Sequence, residues 1–145
     1  MAYQVVGWIE VTRDKAVERG APANWAGVLR LAPLAVAGDA VSNLLFGLAK
    51  IRRPPHLFAD RGLPADPSPS LQTEIAEGRA LEQESEGDMG HTFASWREIR
   101  EVVWGVHNVD PTRSSWATIF DAIEAFERRL NLRPEALRLV VWASW

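Results

Sequence analysis

The sequence predicts an α+β fold: a small antiparallel sheet that includes both ends of the chain, packed on one side by three to four helices. Three observations carry this expectation. The first and last segments are rich in β-branched and aromatic residues, and the middle holds the segments with helical periodicity and caps. No glycine-rich phosphate loop follows any strand, which removes a doubly wound nucleotide fold.

Each element has a local reason. Tyr3 to Val11 alternates Val5, Ile9 and Val11 with Val6 and Trp8, so both faces are apolar and the strand is buried. Thr12 to Asn24 is polar and contains Gly20 and Pro22, the mark of a long loop. Trp25 to Leu31 alternates loosely and reads as the antiparallel partner, with a helix as the competing reading. Asp39 is an N-cap for a helix carrying Val41, Leu44, Leu45, Leu48 and Ile51 on one side, ended by Pro54-Pro55. Five prolines between Pro54 and Pro69 make that segment irregular. Ser68-Pro69 has the cap-then-proline order of a helix start. Ser95-Trp96-Arg97-Glu98 has the spacing of a capping box and opens a helix through Ile99 and Val103. Ser114 or Ser115 opens the clearest helix, with an apolar stripe from Trp116 to Leu130 and Asn131 as its stop. Leu137 to Trp142 alternates around Arg138 as a final buried strand.

Composition narrows the function classes. The chain has 145 residues, 47% of them hydrophobic and 24% charged, which fits a single globular domain spanning residues 1–145. Net charge is −3, against the positive excess of a dedicated nucleic-acid binder. There is no cysteine, so thiolate chemistry, disulfides and iron-sulfur clusters are excluded and a cytoplasmic setting is the expectation. The start lacks the basic residues and long apolar core of a signal peptide. Val28 to Ile51 is interrupted by Arg30, Pro33, Asp39 and Lys50, so no membrane association is expected. His56, His91 and His107 have no ligand spacing, and neither metal nor cofactor is expected.

Three features bear on chemistry. Lys50, Arg52, Arg53, His56 and Arg61 form a basic cluster suited to phosphate or carboxylate; the plainer reading is complementation of a helix C-terminus. Arg61, in the proline-rich segment, is outside that explanation. Asp88 and His91 could form an oriented acid/base pair, against a helix-entry loop in which Asp88, Thr92 and Ser95 cap backbone amides. Seven tryptophans offer stacking area. Trp8, Trp116 and Trp142 read as core, while Trp96 and Trp104 are the better candidates for lining a cleft.

At Arg61-Gly62-Leu63-Pro64-Ala65-Asp66-Pro67-Ser68 and at His91-Thr92 with Ser95-Trp96, the chain resembles a family of small phage and prophage proteins without an assigned activity. Members carry an Arg-Gly-Leu-Pro-x-Asp-x-Ser signature and a His-Ser/Thr-x-Ser-Trp motif, here lengthened by one residue. Leu137-Arg138-Leu139-Val140-Val141-Trp142 is similar to the family's closing strand. The chain departs from the pattern at Ala40-Val41-Ser42, where members often carry Arg-Asn-Tyr, and in ending Ala143-Ser144-Trp145. The resemblance implies a phage-encoded protein in the host cytoplasm and brings no reaction with it.

The expected function is a non-enzymatic binding protein for a small anionic, nucleotide-like metabolite, sequestering a host defence signal. Its site would be built from Arg52, Arg53, Arg61, Asp66, His91, Ser95 and Trp96, with Trp96 stacking on a ring. The first alternative is a hydrolase or transferase at a phosphate or glycosidic bond, with His91 as acid/base, Asp88 orienting it and Arg61 stabilising negative charge. The second is a protein-protein inhibitor using the acidic face of residues 74–88. Trp142 and Trp145 point to a homodimer.

Overall fold

The structure, a computed structural model, describes residues 4–36, 38–49, 52–82 and 88–144. Strands β1 (Gln4–Val11), β2 (Ala26–Arg30), β3 (Asp88–Ser95) and β4 (Leu137–Ser144) form one sheet in the order β2-β1-β4-β3, with every pair antiparallel. Helices α1 (Ala40–Phe46), α2 (Pro69–Glu82), α3 (Trp96–Arg100) and α4 (Trp116–Leu130) pack around it. The α+β class and the terminal strands in the sheet are therefore as expected, with those two strands at its centre.

The helices occupy both faces, whereas one covered face was expected. Val5 and Ile9 of β1 and Leu137, Leu139 and Val141 of β4 point toward Val41, Leu45, Ile99, Trp116, Ile119 and Ile123 of α1, α3 and α4. On the opposite face Val140 and Trp142 are buried with Leu71 of α2, and Val6, Trp8 and Ile75 pack against them. Strands apolar on both faces need two covering layers, and α2 supplies the second.

Two elements differ in extent from the expectation. Gly47, at φ +64, donates its N–H to the Asn43 carbonyl and ends α1 well before Pro54, so Leu48 lies beyond the helix and Ile51 is outside the described residues. Residues 88–95, expected as a helix-entry loop, form edge strand β3. The caps otherwise match. Ser68 Oγ accepts from Leu71 N–H at 3.2 Å, and Ser95 and Glu98 complete a reciprocal capping box at α3, which ends at Arg100. At α4 it is Ser114 Oγ that accepts from the Trp116 N–H.

Candidate functional site

The signature residues are held in two polar networks. Glu10 and Arg138 are the only charged residues in their strands, β1 and β4. They stand opposite one another in the sheet and meet at 2.7 Å on the α2 face, with side chains 0% and 7% exposed. Arg138 also donates to the Asp66 carboxylate and to the Asp66 carbonyl, each at 2.9 Å, and its guanidinium lies 3.9 Å from the Trp25 ring. Asp66 accepts further from Ala23 N–H and Trp25 Nε1–H, both at 2.9 Å. Glu10 accepts from Ser68 N–H at 2.8 Å. Asp66 thus ties the proline-rich segment to the loop before β2 and to the sheet centre. Its lone pairs are directed at protein donors.

Arg61 closes the second network. Its guanidinium forks onto Glu98 at 2.9 and 2.7 Å, donates to the Phe93 carbonyl at 3.3 Å and lies over the Phe58 ring. Gly62 N–H donates to the His91 carbonyl at 2.9 Å, and Thr92 Oγ1 accepts from Arg61 N–H and donates to the Phe58 carbonyl. The Arg61 segment and the His91 segment therefore meet, but as a strap along the outer edge of β3. That arrangement satisfies polar groups which an edge strand would otherwise present. Arg61 reaches Ser95 only through Glu98, which accepts from both.

The remaining expected site residues are dispersed. His91 stacks on Trp142, centroids 5.3 Å apart, on the α2 face of the sheet. Trp96 is 4% exposed in the core of the opposite face and donates to Glu127 at 3.4 Å. The strand puts His91 and Trp96 on different sides, so they do not line one site. Arg52 pairs with Asp60 at 2.7 Å, and the Arg53 backbone is bridged by the Asn43 side chain, both beyond the end of α1. Nothing is described of the Asp88 side chain, and Lys50, Glu84 and Glu86 lie outside the described residues. In the acidic stretch, Glu74 binds Trp8 Nε1–H and Arg30.

Burial alone would push the carboxyls of Asp66 and Glu98 up. Hydrogen bonds from Arg138, Ala23 and Trp25 outweigh it at Asp66, and those from Arg61 and Ser95 outweigh it at Glu98, so both sit below the usual carboxylate range. A depressed folded-state pKa stabilises the fold above the unfolded value, and that contribution is lost as pH falls through the folded value. Stability is expected to be level above about pH 5 and to fall progressively below roughly pH 4. In urea melts at stepped pH, the gap between wild type and Asp66→Asn should narrow as acid protonates Asp66. A gap constant from neutral pH to about pH 2 would contradict this.

Two open concavities lie around α3, on the face opposite α2. A cleft of about 460 Å³ between α3 and α4 is lined by Trp96, Trp104, Phe120, Arg100, Asp121 and Glu124, among others. Its rings pack tilted against one another, with Phe120 at 5.8 Å and 41° from Trp96 and at 6.0 Å and 46° from Trp104. A second cleft of about 470 Å³ is lined by Arg97, Arg100, Arg133, Glu101 and Glu135. Arg100 belongs to both. The arginines sit in exposed pairs: Arg97 with Glu101 at 3.5 Å, Arg100 with Glu127 at 2.9 Å and Arg133 with Glu18 at 3.3 Å. The cleft-lining role expected for Trp96 and Trp104 is met here, although Trp96 offers little surface. Sequence reasoning missed Arg97 and Arg100 on α3 and Arg133 in the turn before β4 because arginines paired with glutamates read as ordinary surface charge.

Among the described residues no group of three or more His, Asp or Glu side chains converges on a metal-sized site. Among the same residues no helix is long and apolar enough to cross a membrane. The architecture defines an α+β protein whose central antiparallel sheet lies between one helix and a layer of three. Comparison with protein-family models, curated proteins and solved structures finds no match to this chain.

Proposed function

We propose that this chain is a non-catalytic binding protein for a small anionic, nucleotide-like molecule, held where the aromatic and arginine clefts meet. The observation that carries this reading is Arg100, which lines both clefts. A flat ring against Trp104 and Phe120 gains stacking, worth about 1–3 kcal/mol per base. An attached phosphate then falls among Arg97, Arg100 and Arg133. Exposed ion pairs of the kind these arginines make contribute only about 0–1 kcal/mol, so a phosphate that accepts both arms of the guanidinium fork displaces a glutamate readily. The Arg138 network is buried, and Arg61 forks onto both oxygens of Glu98 and also donates to the Phe93 carbonyl, which disfavours the same exchange there. The residues lining the two clefts include no histidine to serve as acid/base, which favours binding over turnover. In the phage setting that the resemblance implies, such a protein acts stoichiometrically, by sequestering a host signal.

Calorimetric titration with a panel of nucleoside triphosphates tests the reading. Trp104→Ala is expected to weaken binding roughly tenfold or more. Arg100→Ala and Arg133→Ala should weaken it and flatten its salt dependence. Arg61→Ala, if folded by circular dichroism, should leave affinity unchanged. Absence of binding by any triphosphate, or loss of binding in Arg61→Ala alone, would overturn the proposal.

A further inference from the structure

We infer that the aromatic cleft selects a base presenting two adjacent N–H donors, as guanine does, over adenine and the pyrimidines; the inference rests on the binding reading above. Asp121 and Glu124 line the cleft one turn apart on α4, on the same helix face. Among the described residues neither has an ion pair or a side-chain hydrogen bond within the chain. The neighbouring acid Glu127, by contrast, is occupied by Arg100 and Trp96 Nε1–H. The cleft therefore offers a stacking floor, a guanidinium on the side of the arginine cleft and two carboxylates.

A carboxylate at neutral pH accepts hydrogen bonds and donates none. A base stacked in the cleft is thus read by the donors on its edge. Guanine presents N1–H beside its exocyclic N2 amine, so both oxygens of one carboxylate are satisfied at once. Adenine presents one amine next to an acceptor nitrogen, which repels the second oxygen. Uracil and cytosine each pair a single donor with acceptors. The cleft is open to water, so discrimination is far below that of a buried polar site. A preference of about tenfold is expected, the free-energy scale of one net hydrogen bond.

The test is calorimetric titration of the full chain with GTP, ATP, CTP and UTP, repeated on Asp121→Asn/Glu124→Gln. Both positions are exposed, so the double variant should keep the fold. GTP is expected to bind about tenfold more tightly than ATP to the wild type. The double variant should lose that margin while still binding triphosphates. Equal affinity for all four nucleotides, or a preference kept in the double variant, overturns the base selectivity and leaves the binding reading standing. Failure of every triphosphate to bind overturns both.

Discussion

Arg138→Met is expected to destabilise the protein by about 3–5 kcal/mol, because it leaves Glu10 as an unpaired charge in the sheet interior. Glu10 is 0% exposed, and its other oxygen is already used by Ser68 N–H. Methionine also surrenders the contacts with Asp66 and Trp25, so the proline-rich segment loses its anchor to β4. For a domain of this size the loss corresponds to a fall in Tm of roughly 10–15 °C. Removing both charges in Glu10→Leu/Arg138→Met should cost clearly less than the sum of the single changes, since no unpaired ion then remains buried. Thermal denaturation of the three variants measures the coupling. Additive losses would show that the pair is not energetically linked.

Gly7→Ala is expected to have an effect as large or larger. Gly7 sits in β1 opposite Val141 of β4, at φ +149, a conformation that side chains rarely adopt. A Cβ there would lie 1.9 Å from the Val140 carbonyl oxygen and 2.9 Å from Val141 Cα. Both are backbone atoms of the central strand, so no side-chain rotation relieves the clash. The strand pair must separate locally, and more than about 4 kcal/mol is expected to be lost. Urea denaturation, or the soluble fraction on expression where the variant does not fold, reads the outcome. A midpoint near wild type would show that the β1–β4 contact is looser than described. Gly20→Ala is the control for a positive-φ glycine, because nothing lies within 4 Å of its added Cβ.

The fold was legible where a signal was local. Ser95 and Glu98 announce their helix by reciprocal capping, and Asn131 announces the end of α4 by its left-handed conformation. Strand β3 was hidden because Gly90, at φ +74, lies in an irregularity between Met89 and Thr92 that breaks the alternation. The capping box just beyond it drew the reading toward a helix-entry loop. Early termination of α1 did carry a signal in Gly47, which the apolar run through Leu48 obscured.

The candidate site was less legible, for a different physical reason. Arg61 and Asp66 have the residue types of an anion pocket, yet their partners, Glu98 and Arg138, are 37 and 72 residues away. No spacing rule reaches that far. One signal was available: a lone acid in an apolar first strand and a lone base in an apolar last strand predict each other. Once those charges are paired, Asp66 joins the core network, and the open clefts described above lie at α3 and α4. There Trp104 was visible from the sequence, whereas the convergence of Arg97, Arg100 and Arg133 depends on how α3 packs beside the turn before β4.

Native mass spectrometry of the protein purified from cells, before and after denaturation, tests the central claim most directly. The expected result is a retained anionic molecule with a flat ring, present in wild type and in folded Arg61→Ala and absent from Trp104→Ala. A ligand that survives Trp104→Ala but is lost in folded Arg61→Ala would return the site to the edge of β3 and contradict the account.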